Sequence, residues 1–307
     1  MAALRFTGLA DYLRQRARQG QAAYRRHRLA RAIGDFDALL VSYPKSGRTW
    51  LRFILANYFG QKIGKGHQVD LHTMFAFLPN FAWDRVRGVQ AMLASDLKRS
   101  ELPLIAVTHD LASFGSGKLL PVIFIVRDPR DVLVSSYFHA TRHRHRFAGD
   151  IAAFVRDPSQ GLPHHVRYLN QAAGLLASRP HHVISYEQLS NQPLHAMATA
   201  LRFLGHEPDL EKLDRAIADA AIDRMRAIEA DQGIPAHEYD RSDPEALRVR
   251  RGVVGGFADY LSADTQQWFE RFCASNLDAD AAVRLVEHNS QKALVGQQRA
   301  GVAAFSR

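Results

Sequence analysis

Ser42-Tyr43-Pro44-Lys45-Ser46-Gly47-Arg48-Thr49-Trp50 (SYPKSGRTW) is the stretch on which the reading of this chain turns. It is close to a phosphate-binding P-loop, in which Gly, four residues and then Gly-Lys-Ser/Thr surround the anion. Gly47 and Thr49 stand in register, but Ser42 takes the place of the first Gly and Arg48 that of the Lys. A different lysine, Lys45, lies inside the loop. On its N-terminal side Asp37–Tyr43 (DALLVSY) is a short apolar run ending in turn residues, which predicts a buried strand. On its C-terminal side Leu51, Ile54, Leu55 and Tyr58 recur at helical spacing, which predicts a helix from Thr49. The stretch is therefore a loop feeding a helix N-terminus, where unpaired backbone amides favour an anion.

Working outward, Leu104–Thr108 predicts a second strand with His109 directly after it, Pro121–Arg127 a third and His182–Tyr186 a fourth. Helices are predicted over Asp131–Ala140, Val166–Ala177, Leu194–Leu204, Leu210–Ala221, Ala263–Cys273 and Ala279–His288. Strands alternating with helices give an α/β fold, a single domain with a central parallel sheet flanked by helices. Ligands in such sheets collect at the carboxyl ends of the strands. SYPKSGRTW, His109 and Arg127 all fall there. We divide the chain into a basic helical extension (1–36), one domain (37–290) and a C-terminal tail (291–307). Phe59–Ser100 reads as irregular and aromatic-rich, with Phe75, Phe77, Phe81 and Trp83 able to line an acceptor pocket or to fill core. Asp231–Arg251, with Pro235 and Pro244, reads as a long loop of the kind that covers sites.

Three segments carry anion chemistry. In the first, Ser46, Gly47 and Thr49 offer amides and hydroxyls, and Gly47 lets the backbone approach a ligand. In the second (VRDPRDVLVSS), Arg127 leaves a strand end and Ser135 lies in the following helix, both able to face one anion. The structural alternative there is that Arg127 pairs with Asp128 or Asp131, and a Walker-B reading of Asp128 is also open. In the third (RVRRGVVGG), Arg248, Arg250 and Arg251 precede Gly252, Gly255 and Gly256, the pattern of a backbone clamp or of a plain basic loop. His109 suits a general base, because an imidazole titrates near neutrality. His67 and His72 are its rivals, and Arg142–Arg146 (RHRHR) reads as a solvated loop able to line an entrance for an anion.

Together these segments resemble the sulfotransferases that use 3′-phosphoadenosine 5′-phosphosulfate (PAPS), in order and spacing, over roughly residues 38–275. The first is similar to that family's Tyr-Pro-Lys-Ser-Gly-Thr-Thr-Trp loop, the second to its Arg…Ser 3′-phosphate motif, the third to its Arg-Lys-Gly-x-x-Gly motif. The resemblance implies that Lys45 meets the oxygen bridging sulfur and phosphorus. It implies that Ser46, Gly47, Arg48 and Thr49 cradle the 5′-phosphate and that Trp50 stacks near the adenine. Arg127, Ser135, Arg250, Arg251 and Gly252 would hold the 3′-phosphate, Tyr186 would touch the adenine, and His109 would be the catalytic base. The chain departs from the pattern at Arg48, at Val107 where the family has a Lys, at Gly256-Phe257 where it has Asp-Trp, and at Ile222 where it has an adenine-stacking Phe. Such an enzyme would transfer a sulfuryl group to a hydroxyl acceptor, releasing adenosine 3′,5′-bisphosphate (PAP). A sulfuryl group carries less charge than a phosphoryl group, so no metal is expected, and Lys45 answers the charge growing on the leaving oxygen.

Net charge is +9 across 307 residues, which favours anionic ligands or surfaces without choosing among them. The single cysteine, Cys273, excludes an intrachain disulfide and a Cys-rich zinc site and suits a reducing, cytoplasmic setting. No apolar run reaches the roughly 18–20 residues of a membrane span. Arginines 14, 16, 18, 25, 26, 28 and 31 give the first segment a basic face, suited to solvent or to an anionic membrane surface. No nucleic-acid-binding module is recognisable, so no nucleic-acid partner is expected. The competing readings are a metal-dependent kinase or NTPase with a degenerate P-loop, for which Arg48 is a poor Walker lysine, and a non-enzymatic basic anion- or membrane-binding protein.

Overall fold

The computed structural model describes residues 16, 19–21, 23–25, 27–64, 69–97, 102–115 and 119–287. His67, Arg14, Arg18, Arg26, His288 and the 291–307 tail lie outside the described residues. Four strands form one sheet: β1 (Ala38–Ser42), β2 (Ile105–Thr108), β3 (Val122–Val126) and β4 (His181–Ser185). All pairings are parallel and the order is β2-β1-β3-β4.

β1, β2 and β3 are buried along their whole length because both faces of the sheet are covered, whereas the edge strand β4 (HHVIS) is half-buried over its first three residues. Ala38, Leu40, Ile105, Val107, Ile123 and Ile125 point into one core cluster. Their sequence neighbours Leu39, Val41, Ala106, Val122 and Phe124 point into the other, the alternation that a strand imposes. The first face is closed by α1 (Arg48–Lys62), with α5 (Pro193–Phe203) and α6 (Leu210–Asp219) beyond it. The second is closed by α3 (Leu162–Leu176) and by Ala281 and Leu285. A third cluster joins α2 (Pro129–Phe138), α3 and α8 (Ala263–Asn276). The end of the N-terminal helical segment rests on the second face through Leu29 and Ala32, and Arg28 lies 4.7 Å over the Trp83 ring.

Several boundaries differ from the sequence reading. β4 ends at Ser185, and Tyr186 instead opens α4 (Tyr186–Asn191), because Ser185 and Gln188 form a reciprocal capping box. α7 (Ile222–Gln232) lies where no helix was expected. Phe59–Ser100 is not wholly irregular: it holds the end of α1 and short helices at Met74–Phe77 and Val89–Leu93. Phe75 and Phe77 are buried core, and Phe81 and Trp83 pack against the second cluster, so these aromatics serve packing. The expected C-terminal helix is a single turn, Ala279–Ala281, running into a π-helical stretch over Ala282–Glu287. RHRHR is not uniformly solvated: a π-helical turn spans His139–His143 and His143 is buried, while Arg142, Arg144 and Arg146 are exposed.

Candidate active site

The loop after β1 turns through two left-handed residues, Lys45 at φ 71° and Gly47 at φ 94°. Such a turn aims successive amides to one side. Arg48 and Thr49 open α1, and their amides have no helical carbonyl to bind. Only glycine fits at 47: a Cβ there would lie 2.4 Å from the Tyr186 ring, besides the strain of its φ. Trp50 donates from its indole to the Ala220 carbonyl at 2.9 Å and lies 5.3 Å, ring to ring, from Tyr186.

Tyr186 ties the three segments together. Its hydroxyl donates to the Gly252 carbonyl at 2.9 Å, and the Arg127 guanidinium lies 4.1 Å above its ring. Arg127 also donates to the Val253 carbonyl at 2.8 Å and pairs with Asp131 at 3.5 Å. Asp131 is buried and accepts from the amides of Gly255 and Phe257 at 2.8 and 2.9 Å. One carboxylate thus fixes both the arginine and the glycine loop. Arg250 pairs with Glu245 and Arg251 with Asp259, at 3.0 and 2.8 Å, and both donate to the Tyr260 hydroxyl. From α7, Arg226 grips the same segment by its backbone, donating to the carbonyls of Arg250 and Arg251 at 2.8 and 3.2 Å. Asp128 caps α2 by accepting from the Arg130 amide, a structural duty rather than a Walker-B one.

His109 leaves β2 toward the same space. Its Nδ1 lies 2.7 Å from the Ser42 carbonyl, which can only accept, so Nδ1 carries the proton and Nε2 keeps its lone pair. Burial holds this imidazole well below its ordinary pKa, helped by the charges of Arg48, Arg248 and Arg52 and opposed by the Ser42 bond. Lys45 donates to the Arg248 carbonyl at 3.4 Å. Burial first, and then the Arg248, Arg250 and Arg127 charges, lower its pKa to about 7, with Glu229 pulling the other way. The same causes bring Arg48 down to about 9: burial, then Arg248 and Arg87 against Tyr168. These cations are held close together before any anion arrives.

One cleft is lined by Lys45, Gly47, Arg48, Thr49, Trp50, His109, Arg127, Ser135, Tyr186, Arg250, Arg251 and Gly252. Of the expected site residues only Ser46 is off its wall; it is buried behind the loop. The rival base His72 is exposed and reaches only the Gln232 carbonyl, at 3.4 Å. Ile222 and Gly256 line the cleft, whereas Phe257 lies under the Arg130 guanidinium. Sequence reasoning named Asp131 only as an alternative partner of Arg127, which the 3.5 Å pair bears out, and gave Arg248 no role beyond its basic segment, although it lines the cleft; it missed Arg226 and Glu229 as supports. The one available signal for Arg248 was its place in a basic run.

Residues 35–281 match the family model described as the sulfotransferase domain. The chain is 27% identical over 249 residues to sulfotransferase 1A1 of Mus musculus, covering 76% of this chain and 82% of that protein. It is 23% identical over 259 residues to a 3-beta-hydroxysteroid sulfotransferase of Cavia porcellus, covering 78% and 83%. Its fold is similar to a retinol dehydratase solved with androsterone and inactive cofactor PAP (TM-score 0.59, 16% identity, 79% and 81% coverage). It is likewise similar to mouse sulfotransferase SULT7A1 solved with PAP (TM-score 0.56, 20% identity, 82% and 90% coverage). The match begins ahead of β1 and runs past every residue of the cleft, and the chain belongs to the sulfotransferase domain family.

Proposed function

We propose that this enzyme transfers the sulfuryl group of PAPS to a hydroxyl acceptor, with His109 as general base and Lys45 on the leaving phosphate. The observation that carries the reading is the meeting, in one cleft, of a histidine with a bare Nε2 and a half-buried lysine at an amide-rich helix N-terminus. PAPS supplies an activated sulfuryl group on a good leaving group. Arg48, Thr49 and the amides of their turn receive its 5′-phosphate. Arg127, Ser135, Arg250, Arg251 and Gly252 receive its 3′-phosphate, and Trp50 and Tyr186 flank the base. His109 Nε2 takes the acceptor proton as the hydroxyl oxygen bonds to sulfur and the bond from sulfur to the phosphate oxygen breaks. Lys45 meets the charge that appears on that oxygen, where a dry site makes the interaction strong. Anions bound beside Arg48 and Arg248 would offset the part of His109's depressed basicity that those charges cause, while burial, the larger cause, remains.

PAP should therefore stabilise the full chain without added metal. At a concentration 100-fold above its Kd, a ligand of the folded state contributes about 2.7 kcal/mol. Thermal unfolding with PAP, with and without EDTA, tests this; stabilisation seen only with ATP and magnesium would favour a kinase.

A further inference from the structure

The arginines around the cleft fall into two groups. Those on the 3′-phosphate side each have a carboxylate: Arg127 with Asp131, Arg250 with Glu245, Arg251 with Asp259. On the His109 side, among the described residues, Arg48, Arg87, Arg144 and Arg248 have no carboxylate within 4.0 Å. Glu229, the nearest acid acting on Arg248, is already committed to the amides of Arg248 and Val249 and to the Tyr239 hydroxyl, at 2.7, 2.8 and 2.7 Å.

What holds Arg87 and Arg248 is a neutral ring. Both Nη1 atoms converge on His237 Nε2, at 2.6 and 2.9 Å. The protonation of this ring follows from a chain of contacts. His143 Nδ1 lies 2.9 Å from the Ala246 carbonyl, so it carries hydrogen and leaves its Nε2 as acceptor. That Nε2 lies 3.0 Å from His237 Nδ1, which must then be the donor, leaving His237 Nε2 bare. Two guanidiniums thus share one lone pair, and among the described residues neither has a carboxylate in contact. Burial and the crowd of cations, Arg248 first, push His237 down to about 3, so it does not become a third cation at neutral pH. Arg142, Arg144 and Arg146 stand exposed at the adjoining turn, extending the positive field outward.

Resting on the sulfotransferase reading above, we propose that the acceptor itself is anionic. It carries a phosphate, sulfate or carboxylate that Arg87 and Arg248, with Arg48, hold beside His109. Arg248 and Arg48 line the donor cleft, whereas Arg87 lies outside its wall, so the anion they share extends past the donor's own phosphates. Guanidinium pairs are suited to planar and tetrahedral oxyanions through parallel N–H bonds. An acceptor of this class would also be drawn in by the exposed arginines before it docks.

The test uses a matched pair of hydroxymethyl compounds on the full chain saturated with PAP: 4-(hydroxymethyl)benzoate and its neutral amide, 4-(hydroxymethyl)benzamide. Calorimetric titration should show the carboxylate binding tenfold or more tightly than the amide. Arg87→Gln should erase that preference while leaving PAP affinity unchanged, and Arg87→Lys should restore part of it. Equal affinity for the pair, undetectable binding of both, or a preference that survives Arg87→Gln would overturn the proposal. Failure of PAP to bind would instead sink the donor reading, and the carboxylate preference would still be read on the unliganded protein.

Discussion

Lys45 titrates where a lysine ordinarily does not, and the sign of its effect on binding follows. Unliganded, its pKa is about 7 against an ordinary 10.5, held down by burial and by neighbouring arginines. Between those values the unfolded chain binds more protons than the folded one, so the apo protein gains stability as pH rises through that window. Binding a phosphate needs the ammonium form, so above about pH 7 PAP must bring a proton in with it. PAP affinity should then fall by up to tenfold per pH unit above that point. Calorimetry in buffers of different ionisation enthalpy would show the proton uptake, and Lys45→Ala should flatten the profile.

His109 behaves differently, since its Nδ1 is spent on the Ser42 carbonyl. His109→Ala should lower turnover by about 10²–10⁴-fold, the usual contribution of a general base, with PAP affinity nearly unchanged. Lys45→Ala should lower both. Turnover and nucleotide titration of the two variants side by side decide the matter: equal loss of PAP affinity would make His109 a phosphate ligand.

At the scale of elements, α2 and the glycine loop are one unit through Asp131. Removing its carboxylate strands the Gly255 and Phe257 amides and frees Arg127 from its partner. Asp131→Ala should cost about 3 kcal/mol in urea unfolding, the scale of a broken buried charge pair, and should weaken PAP binding with it. Asp131→Asn, which keeps one acceptor oxygen, should lose less of both.

Elements also show where the sequence could be read and where it could not. β1, β2 and β3 were legible because each is a short run of three to five apolar residues closed by turn chemistry, whereas β4 (HHVIS) carries only Val183 and Ile184 as apolar residues. α7 was not, since its buried positions include Met225 and the charged Glu229, which breaks any apolar stripe. β4 was read one residue too far along, at 182–186 in place of 181–185, although Ser185 and Gln188 spell a capping box. At the site, the residues at strand ends were legible from their motifs. The Ser42 carbonyl that sets the His109 tautomer is 67 positions away in the chain, and nothing in local sequence announces such a contact. Arg87 and His237, 150 positions apart, were invisible for the same reason.

For the molecule as a whole, the cleft is assembled from every part of the domain. Its wall takes residues from the turn after β1, from the ends of β2 and β3, from the start of α4 and from the 248–256 segment. The sheet is complete once β4 has formed at Ser185, yet the nucleotide clamp still awaits Arg226 and the glycine loop. During synthesis the N-terminal phosphate loop therefore emerges long before the segment that closes over it. Non-local closure of this kind is slow to form and comes late. A chain synthesised only as far as Ser185 holds all four strands and the cations of the turn after β1, but not Arg226 or the 248–256 segment that completes the cleft wall. On the proposed donor reading, retention on immobilised PAP should report completed folding as well as affinity.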